Sequence, residues 1–85
     1  DEERDDAANM LTAQQLGCIK EHMGDILSSR EMLIICERFG LFGKSEKTQN
    51  EIAGELGISR SYVSRIERKA LDKLHTLLNN YGLLE

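Results

Sequence analysis

Four residues of this 85-residue sequence have types and spacing suited to one chemistry: Arg60, Ser61, Ser64 and Arg65. On a helix beginning at Arg60, with about 100° per residue, they project near 0°, 100°, 40° and 140°. Val63, Ile66, Ala70, Leu74 and Leu77 gather on the opposite side. A guanidinium can donate two parallel hydrogen bonds to O6 and N7 of guanine, which makes arginine the usual base reader. Serine is short enough to let a helix approach, and its hydroxyl reaches a base edge or a phosphate. This is the outline of a helix that lies in the major groove of double-stranded DNA. Arg68, Lys69 and Lys73 lie farther along and are expected at the DNA backbone. Thr48 and Gln49, just upstream, are expected to add backbone-amide and side-chain contacts to a phosphate. One such arginine alone would read as a solvated surface charge; five bases on one strip do not.

The elements that hold this strip follow from its flanks. Thr48 with Glu51 forms a capping box, so a helix is predicted from Gln49 to about Leu56. Gly57 supplies the left-handed position that ends it, and Ser59 caps the next helix. Ile52, Ala53 and Leu56 face inward from the first helix, Ile58 plugs the turn, and Val63 and Ile66 face inward from the second. Small Ala53 sits where two crossing helices come closest. Together these residues make a helix-turn-helix pattern. Glu67 projects near Val63 and Leu74. A carboxylate there either finds a partner, for which Arg38 is the candidate, or reaches out to water.

Upstream, Thr12 and Gln15 form a second capping box and start a helix at Ala13. Its apolar stripe is Leu16, Ile19, Met23 and Ile26, and Gly24 is expected to mark its end. Ser28 and Glu31 form a third box ahead of a helix over Glu31–Phe39. Met32, Leu33, Ile35, Cys36 and Phe39 cover more than half of that helix, so it should be the most buried. Gly40 and Gly43 break the chain, and Leu41 and Phe42 are expected to fold back on the core. The final helix is predicted to continue to about Asn79, with Leu83 and Leu84 pinned on the core or near the end of a longer protein. Residues 1–11 are expected to be a disordered tail or linker remnant, and residues 12–85 the folded domain.

The fold class is therefore all-α, a small four-helix domain. Without proline, and with 31% charged residues and 5% aromatics, the composition suits it. The net charge of -4 is unevenly spread. Residues 1–43 carry nine acids against four bases, and residues 44–85 six acids against seven bases. Cys18 and Cys36 lack a CxxC or a paired Cys/His spacing, so reduced thiols are expected, with no metal and no cofactor. His22 and His75 each stand alone, and no catalytic set or phosphate-cradling loop is apparent, so no enzymatic role is expected. No run is long enough to cross a membrane, and no signal peptide is apparent. The start at DEERDD reads as a fragment of a longer chain.

The stretch ERFGLFGKSEKTQNEIAGELGISRSYVSRIERKALDKL closely resembles region 4 of bacterial sigma-70 family sigma factors. RFGL, KTQNEIA and LGISRSYVSRIERKAL are especially similar to its sporulation-type members. The resemblance implies the winged-helix-like, wingless fold of that region. It also implies a domain that reads the -35 promoter element within an RNA polymerase holoenzyme, in a bacterial cytoplasm at the nucleoid. By resemblance, Arg60, Ser61, Ser64 and Arg65 are base-contacting positions and Lys69 a backbone contact. The acidic, apolar first half would grip the β flap of the polymerase core, and an anti-sigma factor is a further expected partner. Ser61 and Arg65 depart from the glutamate and glutamine of housekeeping members, which implies a different -35 sequence. Two other readings stay open: a free-standing helix-turn-helix regulator, and a module that mainly docks on polymerase or an anti-sigma factor.

Overall fold

The computed structural model describes residues 11–84. Four α-helices follow one another: α1 (Ala13–Ile26), α2 (Ser29–Phe39), α3 (Gln49–Leu56) and α4 (Arg60–Asn80), with a 3-10 turn over Leu41–Gly43 between α2 and α3. No strand occurs among the described residues. The all-α, four-helix expectation and its helix-turn-helix hold. The tail expected over residues 1–11 lies outside the described residues except for Leu11, which packs against the core.

All three capping boxes form, each with both reciprocal hydrogen bonds. Thr12 pairs with Gln15, Ser28 with Glu31 and Thr48 with Glu51. Ser59 caps α4 by accepting a hydrogen bond from the Tyr62 amide at 3.0 Å. These caps fix where each helix starts, because the first-turn N–H groups have no partner within the helix. Gly57 closes α3 at φ 71°, and Gly40 closes α2 at φ 66°.

Two apolar clusters share the long helix α4. Ile34, Ile52, Ala53 and Val63 form the smaller one, inside the helix-turn-helix. The larger joins Ile19, Met23 and Leu27 from the first helix and its end to Ile35, Cys36, Leu41 and Ala70, Leu74, Leu77 and Leu78. Helix α2 feeds both, with Ile34 on one side and Ile35 and Cys36 on the other. The carboxy end is tied down as well: Gln15 Nε2 donates to the Leu83 carbonyl at 2.7 Å, and Leu83 and Leu84 pack on the larger cluster. The amino half of α4 is thus held by α3, and its carboxy half by α1 and α2.

Two local expectations change. Helix α1 does not end at Gly24 but runs to Ile26. A mid-helix glycine costs about 1 kcal/mol, and burial of Met23 and Leu27 on either side outweighs it. Phe42 does not fold inward with Leu41. It sits at φ 55° and is 55% exposed, with Lys20 Nζ 6.0 Å from its ring centre. The turn between the two glycines is too tight to send consecutive side chains to the same side.

Candidate nucleic-acid interface

The helix-turn-helix is braced from within by one buried carboxylate. Glu67, 4% exposed, accepts from Arg38 Nε at 3.0 Å and from Gln49 Nε2 at 2.7 Å, both at Oε1. Arg38 Nη1 also donates to the Lys47 carbonyl at 3.2 Å. Helices α2, α3 and α4 and the loop entering α3 therefore meet at one ion pair. Of the two fates open to Glu67 in the sequence, pairing with Arg38 is the one observed. The loop is anchored again by the Lys47 amide, which donates to the Glu37 carbonyl at 2.9 Å. Lys47 Nζ lies 2.6 Å from Glu55 Oε2. That contact raises the Lys47 pKa and lowers that of Glu55.

A second ion pair joins α2 to α4. Lys73 Nζ donates to Glu31 Oε1 at 2.8 Å, the same oxygen that receives the Ser28 amide in the capping box. Glu31 is buried, and the Lys73 hydrogen bond, opposed by that burial, holds its carboxyl below the ordinary glutamate range. Lys69 adds a smaller favourable field.

Against this frame, the residues singled out from the sequence divide into three groups. Arg60, Ser61, Arg65, Arg68 and Lys69 are exposed along the outer side of α4, and Ser64 is half-buried among them. Ser61 Oγ lies 3.4 Å from the capping Ser59 Oγ. Thr48 and Gln49 stand at the start of α3, but their side chains are engaged: the Thr48 hydroxyl in its capping box, the Gln49 amide on Glu67. Asn50 and Glu51, the next two residues, are exposed, and the Glu51 N–H is taken by the Thr48 hydroxyl. Lys73, half-buried, is held by Glu31 and lies apart from the exposed strip.

A cleft of about 300 Å³ opens beside the strip. Ser28, Arg30 and Glu31 at the start of α2 form one wall, and Tyr62, Arg65 and Lys69 of α4 the other. Arg30 and Tyr62 were not marked by sequence reasoning. Arg30 follows a capping serine with no periodic signal, and only the packing of α2 on α4 brings it beside Arg65 and Lys69. Tyr62 lay near 200° on the wheel, between the two faces, and carried no charge to draw notice. The Arg65 guanidinium carbon lies 5.9 Å from the Tyr62 ring centre.

Among the described residues no group of three or more His, Cys, Asp or Glu side chains could hold a metal ion. Cys36 is buried, which pushes its thiol pKa up, and Cys18 is half-buried; both are free thiols. No described helix is long and apolar enough to cross a membrane.

Compared with known families, the chain matches sigma-70, region 4, over residues 25–76. It is 53% identical over 73 residues to the RNA polymerase sigma-28 factor of Bacillus thuringiensis subsp. kurstaki, covering 85% of this chain and 30% of that protein. With the RNA polymerase sigma-K factor of Bacillus subtilis it shares 60% identity over 60 residues, covering 71% of this chain and 20% of that protein. With the RNA polymerase sigma-E factor of Clostridium acetobutylicum it shares 47% over 53 residues, covering 62% and 23%. The likeness to sporulation-type members read from the sequence holds in these matches. The chain spans 20–30% of the length of these relatives. No solved structure matches it significantly.

Proposed function

The chain belongs to the sigma-70 region 4 family, and on that premise we propose that it is the -35 promoter-reading domain of an alternative RNA polymerase sigma factor. The observation that carries the reading is the exposed strip of α4, where Arg60, Ser61, Ser64 and Arg65 lie on a helix braced at both halves. In the major groove, Arg60 and Arg65 would pair with guanine edges, and Ser61 and Ser64 would make the closest helix contacts. Arg68 and Lys69, with Arg30 across the cleft, would meet phosphates. Thr48 and Gln49 would contribute through the N–H groups of the first turn of α3 rather than through their side chains. Lys73 would act on the fold by holding Glu31. The role is one of binding and positioning, not catalysis. The partners are promoter DNA and the polymerase core, whose β flap would rest on the acidic first half of the chain, with an anti-sigma factor as a competitor for that face. The setting is a bacterial cytoplasm.

Fluorescence-anisotropy titration of the chain against a -35 duplex and a scrambled duplex, at two salt concentrations, tests the reading. With about three phosphate contacts the logarithm of affinity should fall with a slope of about -3 against log salt. Arg65→Ala should cost about 1–3 kcal/mol on the selected duplex and much less on the scrambled one. Equal weakening on both duplexes would remove Arg65 from the base-reading set. The docking reading draws support from the net charge of -4 and the acidic first half. It would prevail if the chain bound a polymerase flap peptide but neither duplex.

A further inference from the structure

Arg65 lies beside an aromatic ring. Among the described residues no hydrogen bond or ion pair to Arg65 is seen, and its guanidinium carbon lies 5.9 Å from the Tyr62 ring centre. That distance lies within cation–π range, and the pair is related by i and i+3 on one helix. Tyr62 is 44% exposed, so the ring stands at the mouth of the cleft with its face available to the guanidinium. Glu31, an acid that lines the same cleft, is engaged elsewhere. Its Oε1 is already taken by Lys73 Nζ at 2.8 Å and by the Ser28 amide at 2.8 Å.

We infer that Tyr62 is a specificity-determining positioning residue: its ring supports the Arg65 guanidinium so that the donor edge is presented to a guanine. The inference deepens the promoter-reading proposal and rests on it. A guanidinium on an aromatic face uses its π surface there and keeps its in-plane N–H groups for a bidentate acceptor. Base pairing by arginine depends on that fork being aimed before contact, because a long side chain left free loses more conformational freedom on binding.

The test is selection from duplexes randomised over the -35 hexamer, by the unsubstituted chain and by Arg65→Ala, Tyr62→Phe and Tyr62→Leu. Arg65→Ala should flatten one guanine position of the selected motif. Tyr62→Phe, which keeps the ring, should leave the motif unchanged. Tyr62→Leu should lower the preference at that same position about three- to fivefold and leave the other positions as they were. Thermal melting of Tyr62→Leu close to that of the unsubstituted chain accompanies the result, since the residue is half outside the fold. A Tyr62→Leu motif identical to the original, or one flattened at every position alike, would overturn the positioning role while leaving the promoter-reading proposal intact. Absence of any enriched motif for the unsubstituted chain would overturn that proposal and this inference with it.

Discussion

Glu67 would look misplaced on a DNA-reading helix, since it adds negative charge where phosphates would lie, were it not turned inward. Buried and hydrogen-bonded to Arg38 and Gln49, it is part of the frame. Removing one member of a buried ion pair leaves the other uncompensated, at about 3–5 kcal/mol. Arg38→Met is therefore expected to lower stability by about that much, which by the usual scaling is a loss of well over 10 °C in melting temperature. Adding Glu67→Leu should recover part of the loss, because no buried charge then remains. Denaturant unfolding of the two variants checks this, and additive losses would show that the pair is not coupled. The need for a decision at Glu67 was legible because it fell among inward aliphatics, but the sequence left pairing with Arg38 and escape to water equally open. The destinations of Gln49 and Lys73 were not legible. A helical wheel fixes the direction of Cβ, but a long side chain at the boundary can turn to either side. What decides is the carboxylate waiting on a neighbouring helix, Glu67 for Gln49 and Glu31 for Lys73.

At the scale of elements, the caps and glycine turns were the most readable features, because their chemistry is local. Three capping boxes, the left-handed Gly57 and the chain break at Gly40 stand where the sequence put them, and Gly40 is left-handed too. The two glycines should nevertheless respond differently to alanine. Gly57 faces open space, so Gly57→Ala meets only the cost of a left-handed alanine, about 1–2 kcal/mol. At Gly40 an added Cβ would also lie 3.1 Å from the Lys44 carbonyl oxygen, so Gly40→Ala should cost more. Thermal melting of the two variants compares them. Phe42 was misread because its place depends on that same turn, whose tightness no hydrophobic pattern records. The α2–α4 contact carries a pH dependence. The folded-state pKa of Glu31 is depressed, first by the Lys73 hydrogen bond, so this pair stabilises the fold at pH values above the unfolded glutamate pKa. That stabilisation is lost as pH falls through the folded value. Melting temperature should therefore drop on acidification below about pH 4.5, and Glu31→Gln should drop less steeply, having no proton to take up.

Over the whole molecule, a net charge of -4 and a DNA-binding role are compatible because the charges are segregated. The first 43 residues hold most of the acids, and the bases gather on α4, with Arg30 brought to the same side by packing. The four-helix architecture was legible from periodicity and caps. The division of the core into two clusters sharing α2 and α4 was not, since Ile34 and Ile35 are neighbours in sequence and serve different clusters. That division anchors α4 along its length, its amino half on the smaller cluster and its carboxy half on the larger. Whether the outer face of α4 is the nucleic-acid surface can be read residue by residue by NMR. Amide chemical shifts of the chain are followed as a -35 duplex is added. Perturbations are expected to concentrate at residues 60–69 and at the first turn of α3, with Arg30 included and α1 quiet. Perturbations concentrated instead on α1 and the turn around Phe42, with residues 60–69 unmoved, would contradict that expectation.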